Sequence, residues 1–270
     1  MLNYCNMFNR INMCKFFLKR CKRFAVIVLN EVADLKLKKT GYIYKSEKIN
    51  SIFYLPFVKT DLIQNIIYKS GQYFEWMSLC FVCKQWREGV VGRRIADTLV
   101  LDIGANIGNH TLYYVNECNA KHVYCFEPIK DTFEVLKRNI EINNISKRVD
   151  LFNFAVGDGI GKATISHYDT DNIGGTSIEL DDMGNIEVKS IDGLDINETI
   201  GLVKIDVEGF EISVIKGMMN TLKRHRPFIT IEINDNNYNE ACLLLERIGY
   251  KHILLNKVDN YGDFLFYYEE

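Results

Sequence analysis

The 270-residue chain predicts an α/β fold built on a buried parallel sheet, and three stretches carry that prediction. Leu99–Ile103 is a short run, apolar on both faces apart from Asp102, that breaks into a glycine turn over Gly104–Gly108 before an amphipathic helix. His122–Phe126 is a second apolar run, ending in Glu127 and Pro128. It lies about twenty residues on, where an α/β nucleotide-binding unit presents an acid to ribose hydroxyls. In the third, Leu202–Gly209, Lys204, Asp206 and Glu208 alternate with Val203, Ile205 and Val207. Burying three charged side chains at one strand end is expensive unless they pair with each other, a ligand or a metal.

In chain order, residues 1–30 come first: they hold no acid but carry Arg10, Lys15, Lys19, Arg20, Lys22 and Arg23 among Phe8, Phe16, Phe17 and Leu18. Two readings stay open here, an amphipathic helix making peripheral contact with an anionic membrane and a solvated basic helix packed on the rest of the chain. The apolar run Phe24–Leu29 is too short for a bilayer span or a secretory signal. Residues 51–94 are rich in aromatics, including Phe53, Tyr73, Trp76 and Trp86, which serve as core or as platforms for a sugar ring. The expected division is a basic segment and helical, aromatic cap over 1–94, followed by the main domain over 95–270. Cys80 and Cys83 form a lone Cys-x-x-Cys pair with no second pair at zinc-site spacing, so they read as ordinary thiols.

After Leu99–Ile103, Gly104 permits a close approach that a side chain would obstruct, and Gly108 lets the next helix sit on the sheet. The spacing is Asp-x-Gly-x-x-x-Gly, with Asp102 before the first glycine. An acid there suits a cofactor carrying a cationic amino-acid group more than a pyrophosphate, which argues against a nicotinamide-dependent oxidoreductase. Pro128 ends the second strand, and Lys130–Asn143 follows as a helix with Phe133, Leu136 and Ile140 at helical spacing. Val149–Asp158 reads as one strand running into a turn. An inserted hairpin is expected over about 160–192, with strands Ala163–Tyr168 and Ile186–Ile191 around a loop holding Asn172, Gly174 and Gly175. Tyr238–Ile248 is a helix closed by Gly249, and His252–Leu255 and Phe264–Tyr267 form a terminal hairpin joined by Asn260–Asp263.

Taken together, Asp102–Gly108, Phe126–Pro128, Asn153–Asp158, Val203–Gly209 with Lys216 and Gly217, and Ile231 with Glu232 resemble the FkbM-type methyltransferase family in type and order. The resemblance covers about Thr98 to Glu270. It implies a Rossmann-like seven-stranded class I methyltransferase sheet with helices on both faces. It also implies S-adenosylmethionine as cofactor and methyl transfer, usually to a hydroxyl oxygen. Carried over residue by residue, Asp102, Gly104, Ala105, Asn106 and Gly108 would wall the methionine part and ribose, and Glu127 would hold the ribose. Ala155, Val156 and Asp158 would border the adenine.

An alcohol is a poor nucleophile at neutral pH and needs a base or metal as the new bond forms. Asp206 is the first candidate, followed by Glu208 and Glu232, with Lys204 keeping the carboxylates ionised or orienting the acceptor. The same Asp206, Glu208 and Glu232 are the candidate ligands for a divalent cation. His110 reads as a partly exposed first-turn helix residue with a proton-relay alternative, and His167 as a base only if the insertion folds over the site. A formal net charge of -2 gives no domain-wide basic field, so nucleic acid is not an expected partner. Cysteines without a disulfide framework point to a reducing, cytoplasmic setting. The expected acceptor is a small molecule or glycan, a sugar nucleotide included. A catalytically silent glycan- or partner-binding module and an N-methyltransferase stay open as alternatives.

Overall fold

The structure, a computed structural model, describes residues 29–167 and 175–269. The basic segment over 1–30 lies almost wholly outside the described residues, as do Tyr168 and the Asn172–Gly174 part of the expected insertion loop. Residues 29–38 form helix α1, and a short hairpin of β1 (Ile43–Lys45) and β2 (Ile52–Tyr54) follows. Helices α2 (Leu62–Ser70), α3 (Trp76–Cys80) and α4 (Val90–Asp97) complete the N-terminal part. A π-helical turn over Phe81–Gln85 joins α3 to the segment before α4.

The seven-stranded α/β sheet that the sequence predicts is present. Its strands are β3 (Leu99–Ile103), β4 (His122–Phe126), β5 (Val149–Phe152), β10 (Ile200–Ile205), β11 (Phe228–Asn234), β12 (Lys251–Val258) and β13 (Tyr261–Tyr267). They lie in the order β12-β13-β11-β10-β3-β4-β5, all parallel except β13, which is antiparallel to both neighbours. The order reverses between β3 and β10, and in open α/β sheets the crevice at such a switch point takes the ligand.

Strand alternation feeds two apolar layers. Leu99, Leu101 and Ile103 face one cluster with Val203, Ile205, Val214 and Ile215. Val100 faces the other, with Leu112, Tyr113, Leu136 and Ile140. Helices α5 (Asn109–Asn116) and α6 (Lys130–Ile142) supply the second layer. Helices α7 (Glu211–Lys216), α8 (Met219–His225) and α9 (Tyr238–Glu246) supply the first. Phe53, Leu55, Ile67 and Tyr73 of the N-terminal part join the layer of α5 and α6. Side-chain amides on α6 and at its C-cap fasten β2 there, because Asn143 and Asn139 accept from the Ile52 and Tyr54 N–H groups at 2.9 and 2.5 Å.

Three expectations are corrected. Val149–Asp158 is not one strand: the chain breaks at Asn153, whose amide donates to the Glu127 and Pro128 carbonyls at 2.8 and 3.2 Å, and β6 (Ala155–Val156) joins a second sheet. The insertion is more than a hairpin. Strand β8 (Ser177–Leu180) pairs with β7 (Gly161–His167), which pairs with β9 (Ile186–Lys189), giving a four-stranded sheet ordered β6-β9-β7-β8. Strand β8 escapes sequence reading because it is a four-residue, half-exposed edge strand without clean alternation. In the terminal hairpin the turn falls at Asp259 and Asn260, with Asp259 left-handed at φ 49°. Tyr261–Asp263 are therefore paired strand, and Asp263 lies beside Glu232. No helix among the described residues is long and apolar enough to cross a membrane.

Candidate active site

At the carboxyl end of β3 the backbone turns sharply at Gly104, whose φ is 74°. A Cβ there would lie 1.8 Å from the Asp206 carbonyl oxygen, so the loops after β3 and β10 touch at a point where only glycine fits. Asn106 takes the left-handed conformation at φ 49°, which a short amide side chain tolerates. Its N–H donates to Glu127 Oε2 at 3.0 Å, while the Ile129 N–H donates to Oε1 at 2.8 Å. Burial pushes the Glu127 carboxyl up to about 7, against the pull of those two backbone donors.

Glu127 lies on a cavity of about 610 Å³, with Gly104, Asn106, Ala155, Val156 and Glu208 also on its walls. Phe126, Ile129, Phe154, Ile178 and Phe210 supply apolar surface. Thr132 and Thr176 also line it, and their hydroxyls are buried without a hydrogen-bond partner among the described residues. Phe126 and Phe154 fall in the sequence motifs, whereas no motif marks Ile129, Thr132, Thr176, Ile178 or Phe210, which reach the cavity from the start of α6, the second sheet and its approach, and the turn before α7.

Four predicted residues stand elsewhere. Asp102 is fully buried beneath the turn, where the Thr111 hydroxyl donates to it at 2.6 Å. Ala105 is buried in the loop, and Gly108 directly precedes α5; neither lines the cavity. Asp158 is exposed and absent from the cavity wall, because its N–H is held by the Ser213 hydroxyl at 3.0 Å and its side chain turns to solvent. Of the three residues expected to border adenine, Ala155 and Val156 line the cavity and Asp158 does not.

Lys204, next to last in β10, is almost wholly buried. Its Nζ donates to the Gly104 carbonyl at 2.6 Å and lies 3.2 Å from Asp206 and 3.6 Å from Asp102. Lys204 thus braces the two loops through the Gly104 carbonyl and its ion pairs with Asp206 and Asp102. Burial alone would lower its pKa, but Asp206 and Asp102 outweigh that and hold it above the ordinary lysine value.

Asp206 shows the converse balance. Burial pushes its carboxyl up, but Lys204, His110 and a hydrogen bond from Glu232 together hold it below the usual aspartate range. Glu232 is pushed well up, first by burial and then by the Asp206 charge. One proton is therefore shared unequally between two like groups, with Glu232 the donor. Glu208, at φ 47° in the turn after β10, is raised to about 7 by burial and by Asp206. Carboxylate oxygens of Asp206, Glu208 and Glu232 lie within 4.8 Å of one another, so the three predicted acids are brought together.

A second cavity of about 490 Å³ opens on the other side of Asp206. Asp206 is the one described residue on the walls of both. Leu79, Val82, Tyr114, Leu255 and Phe264 form apolar surface, and Glu75, His110, Lys204, Glu232 and Asp263 are polar residues on its walls. His110 is half-buried in the first turn of α5, and its Nε2 lies 3.3 Å from Glu75. His167 is exposed on β7 and lines neither cavity. Sequence reasoning missed Glu75 and Asp263. Glu75 sits in an aromatic-rich stretch that reads as packing, and Asp263 reaches the cavity only through the β11–β13 register.

The family model for the methyltransferase FkbM domain matches residues 102–254. A hexuronic acid methyltransferase of Haloferax volcanii is 29% identical over 143 residues, covering 51% of this chain and 56% of that protein. A protein named methyltransferase 1 of Beauveria bassiana is 25% identical over 183 residues, covering 57% of this chain and 72% of that one. Among solved structures, methyltransferase FkbM of Methylobacillus flagellatus is 22% identical with a TM-score of 0.46, covering 64% of this chain and 44% of that chain. This chain thus spans little more than half the length of the Haloferax protein.

Proposed function

From the premise that the chain belongs to the methyltransferase FkbM domain family, we propose that it is an S-adenosylmethionine-dependent methyltransferase acting on a hydroxyl of a sugar-type acceptor. The observation that carries this reading is the meeting of two cavities at Asp206, one on either side of a single carboxylate. A displacement reaction between two bound molecules needs that arrangement, because proximity and alignment supply much of the rate.

The first cavity fits the cofactor. Each Glu127 oxygen spends one acceptor position on a backbone N–H and has another free for a ribose hydroxyl. The unpartnered Thr132 and Thr176 hydroxyls offer polar contacts beside apolar walls suited to a base. Gly104 keeps the floor of the turn clear of a side chain. When bound, S-adenosylmethionine supplies an activated methyl group on a sulfonium, so the protein's work is to bind, orient and deprotonate.

Asp206 is the base in this reading. Held ionised by Lys204, its carboxylate takes the proton from the acceptor hydroxyl as the oxygen attacks. Glu232 keeps its own proton and orients Asp206 through their hydrogen bond. Lys204, bonded to the Gly104 carbonyl, fixes the base relative to the cofactor turn. The name of the Haloferax relative supports a sugar as acceptor.

A second reading rests on the spacing of Asp206, Glu208 and Glu232, which suits a divalent cation bound through oxygen. Chelation separates the two: unchanged turnover in EDTA supports the shared proton, and loss restored by magnesium supports the cation. The proposal as a whole is tested by calorimetric titration with S-adenosylmethionine and S-adenosylhomocysteine, with Glu127→Ala and NADH as contrasts. Saturable binding of both sulfur compounds, lost in Glu127→Ala and absent for NADH, supports it. A folded wild-type protein that binds neither points instead to a silent module.

A further inference from the structure

Helix α1 carries an outward face that the fold leaves uncovered. Leu29, Val32 and Leu35 recur every third residue, which keeps them on one side of a helix with 3.6 residues per turn. They are 56%, 42% and 60% exposed. Ala33 and Leu37, on the other side, are buried in the layer that holds Phe53 and Leu55. The inner side alone therefore accounts for the packing of α1, and the outer apolar residues are left over. The helix is also tied in place. Asn30 donates to the Lys59 carbonyl at 3.3 Å and accepts from the Asn65 amide at 2.9 Å and the Lys69 ammonium at 2.8 Å.

We propose that this outer face of α1 docks the protein on an anionic lipid surface, with Leu29, Val32 and Leu35 entering the interface and the neighbouring lysines meeting lipid phosphates. Nothing in this docking depends on the methyltransferase reading.

Charge complementarity names the occupant. Lys36 falls on the same side as Leu29 and Val32, and Lys38 and Lys39 stand at the end of the helix. All three are exposed, and none forms an ion pair among the described residues. The acids of α1 are already engaged: Glu31 pairs with Lys59 at 2.5 Å, and Asp34 accepts from the Tyr42 hydroxyl. Lysine stems lie along apolar surface while their ammonium groups reach outward, so leucine and lysine sharing one face suit a lipid interface.

The chain before α1 points the same way. Residues 1–28 contain six basic residues and no acid. Arg23, six residues before Leu29, lies within about 22 Å of it in any conformation the chain can take, so positive charge is delivered to the edge of this face. A second copy of the chain suits the face less well. A two-fold contact sets the same patch against itself and brings the free lysines of both copies together, with no acid of α1 free to answer them.

The test is co-sedimentation of the full chain with vesicles of phosphatidylcholine alone, and of three parts phosphatidylcholine to one part phosphatidylserine, at low and high salt. The expected result is binding to the phosphatidylserine vesicles at low salt, weakened at high salt as screened charge requires, and little binding to phosphatidylcholine alone. The triple substitution Leu29→Ser, Val32→Ser and Leu35→Ser keeps every charge and removes the apolar face. It should weaken binding by at least about tenfold. Leu35→Trp supplies an independent readout should the triple variant fail to fold: on the phosphatidylserine vesicles its emission should shift to the blue and be quenched by brominated lipid. Wild-type binding by a folded triple variant overturns the inference, because the basic residues before α1 then suffice by charge alone. Leu35→Trp emission that brominated lipid does not quench overturns it as well. Absence of wild-type binding does the same, and a dimer in light scattering would then assign the face to a second copy.

Discussion

The two cavities beside Asp206 are built in different ways. The one holding Glu127 is lined mostly by short runs at strand ends: the turn after β3, the Glu127–Ile129 corner after β4, Phe154–Val156 after β5 and the stretch after β10. The one holding Glu75 and Asp263 is made of side chains from α3, α5, β11 and β13, which are far apart in sequence. A surface made by tight turns is constrained by backbone sterics and tolerates little substitution. A surface made by separate side chains can be altered one residue at a time without disturbing the fold. The first suits a part common to a family of reactions, and the second suits the part that tells one substrate from another.

The largest expected effect lies where the backbone is tightest. Gly104→Ala places a methyl group 1.8 Å from the Asp206 carbonyl oxygen at a left-handed φ, so the two loops must separate. We expect S-adenosylhomocysteine binding to be lost in calorimetry and stability to fall by roughly 1–3 kcal/mol in thermal melts. Wild-type binding by Gly104→Ala would mean that the loops do not meet as described. Next is Asp206→Asn, which keeps the shape of both cavities and removes the base. Methyl transfer, followed as S-adenosylhomocysteine release, should drop by on the order of 10²–10⁴-fold while cofactor affinity changes little. A parallel loss of binding and turnover would make Asp206 a cofactor ligand instead.

Glu127→Gln comes third. Replacing a charged acceptor of two ribose bonds should weaken S-adenosylhomocysteine by about 1.5–3 kcal/mol per bond lost. Its pH dependence is the sharper signature. Burial raises the Glu127 carboxyl to about 7 in the free protein, and hydroxyl donors favour the ionised form. Binding below that value must therefore release a proton, so affinity rises with pH up to about 7 and levels off above it. Glu127→Gln should flatten the profile, and an unchanged slope in that variant would assign the titration to Glu208. The smallest effect belongs to Asp158→Ala. This exposed side chain is off the cavity wall, so cofactor affinity should move by no more than about 0.5 kcal/mol. A tenfold loss, about 1.4 kcal/mol, would return Asp158 to the adenine edge.

The difference in construction also decides what sequence reading reaches. The turn after β3, Glu127 after β4 and the charged end of β10 are legible because each is a local pattern: a glycine spacing, an acid at a strand end, charges alternating with β-branched residues. Lys204, Asp206 and Glu208 are legible as a group for the same reason, and Glu232 as an acid on the adjoining strand. What locality cannot supply is depth. Asp102 and Asp158 sit in equally good motifs, yet one is buried under Lys204 and the other turns to solvent. Long-range register is equally hidden. Asp263 faces Glu232 only because the hairpin turns at Asp259 and Asn260 rather than over Asn260–Asp263. Glu75 reaches His110 only because the N-terminal part packs on α5 and α6. The second sheet was partly legible, but β8 was not, since a short half-exposed edge strand leaves little hydrophobic period.

A crystal structure with S-adenosylhomocysteine bound tests the meeting of the two cavities at Asp206. The ribose hydroxyls should lie on Glu127, the base against Val156 and Phe154 near the Thr132 hydroxyl, and the sulfur toward Asp206. The Glu75 and Asp263 cavity should stay open to an acceptor. A ligand seated between Glu75 and Asp263, or one whose sulfur points away from Asp206, would contradict it.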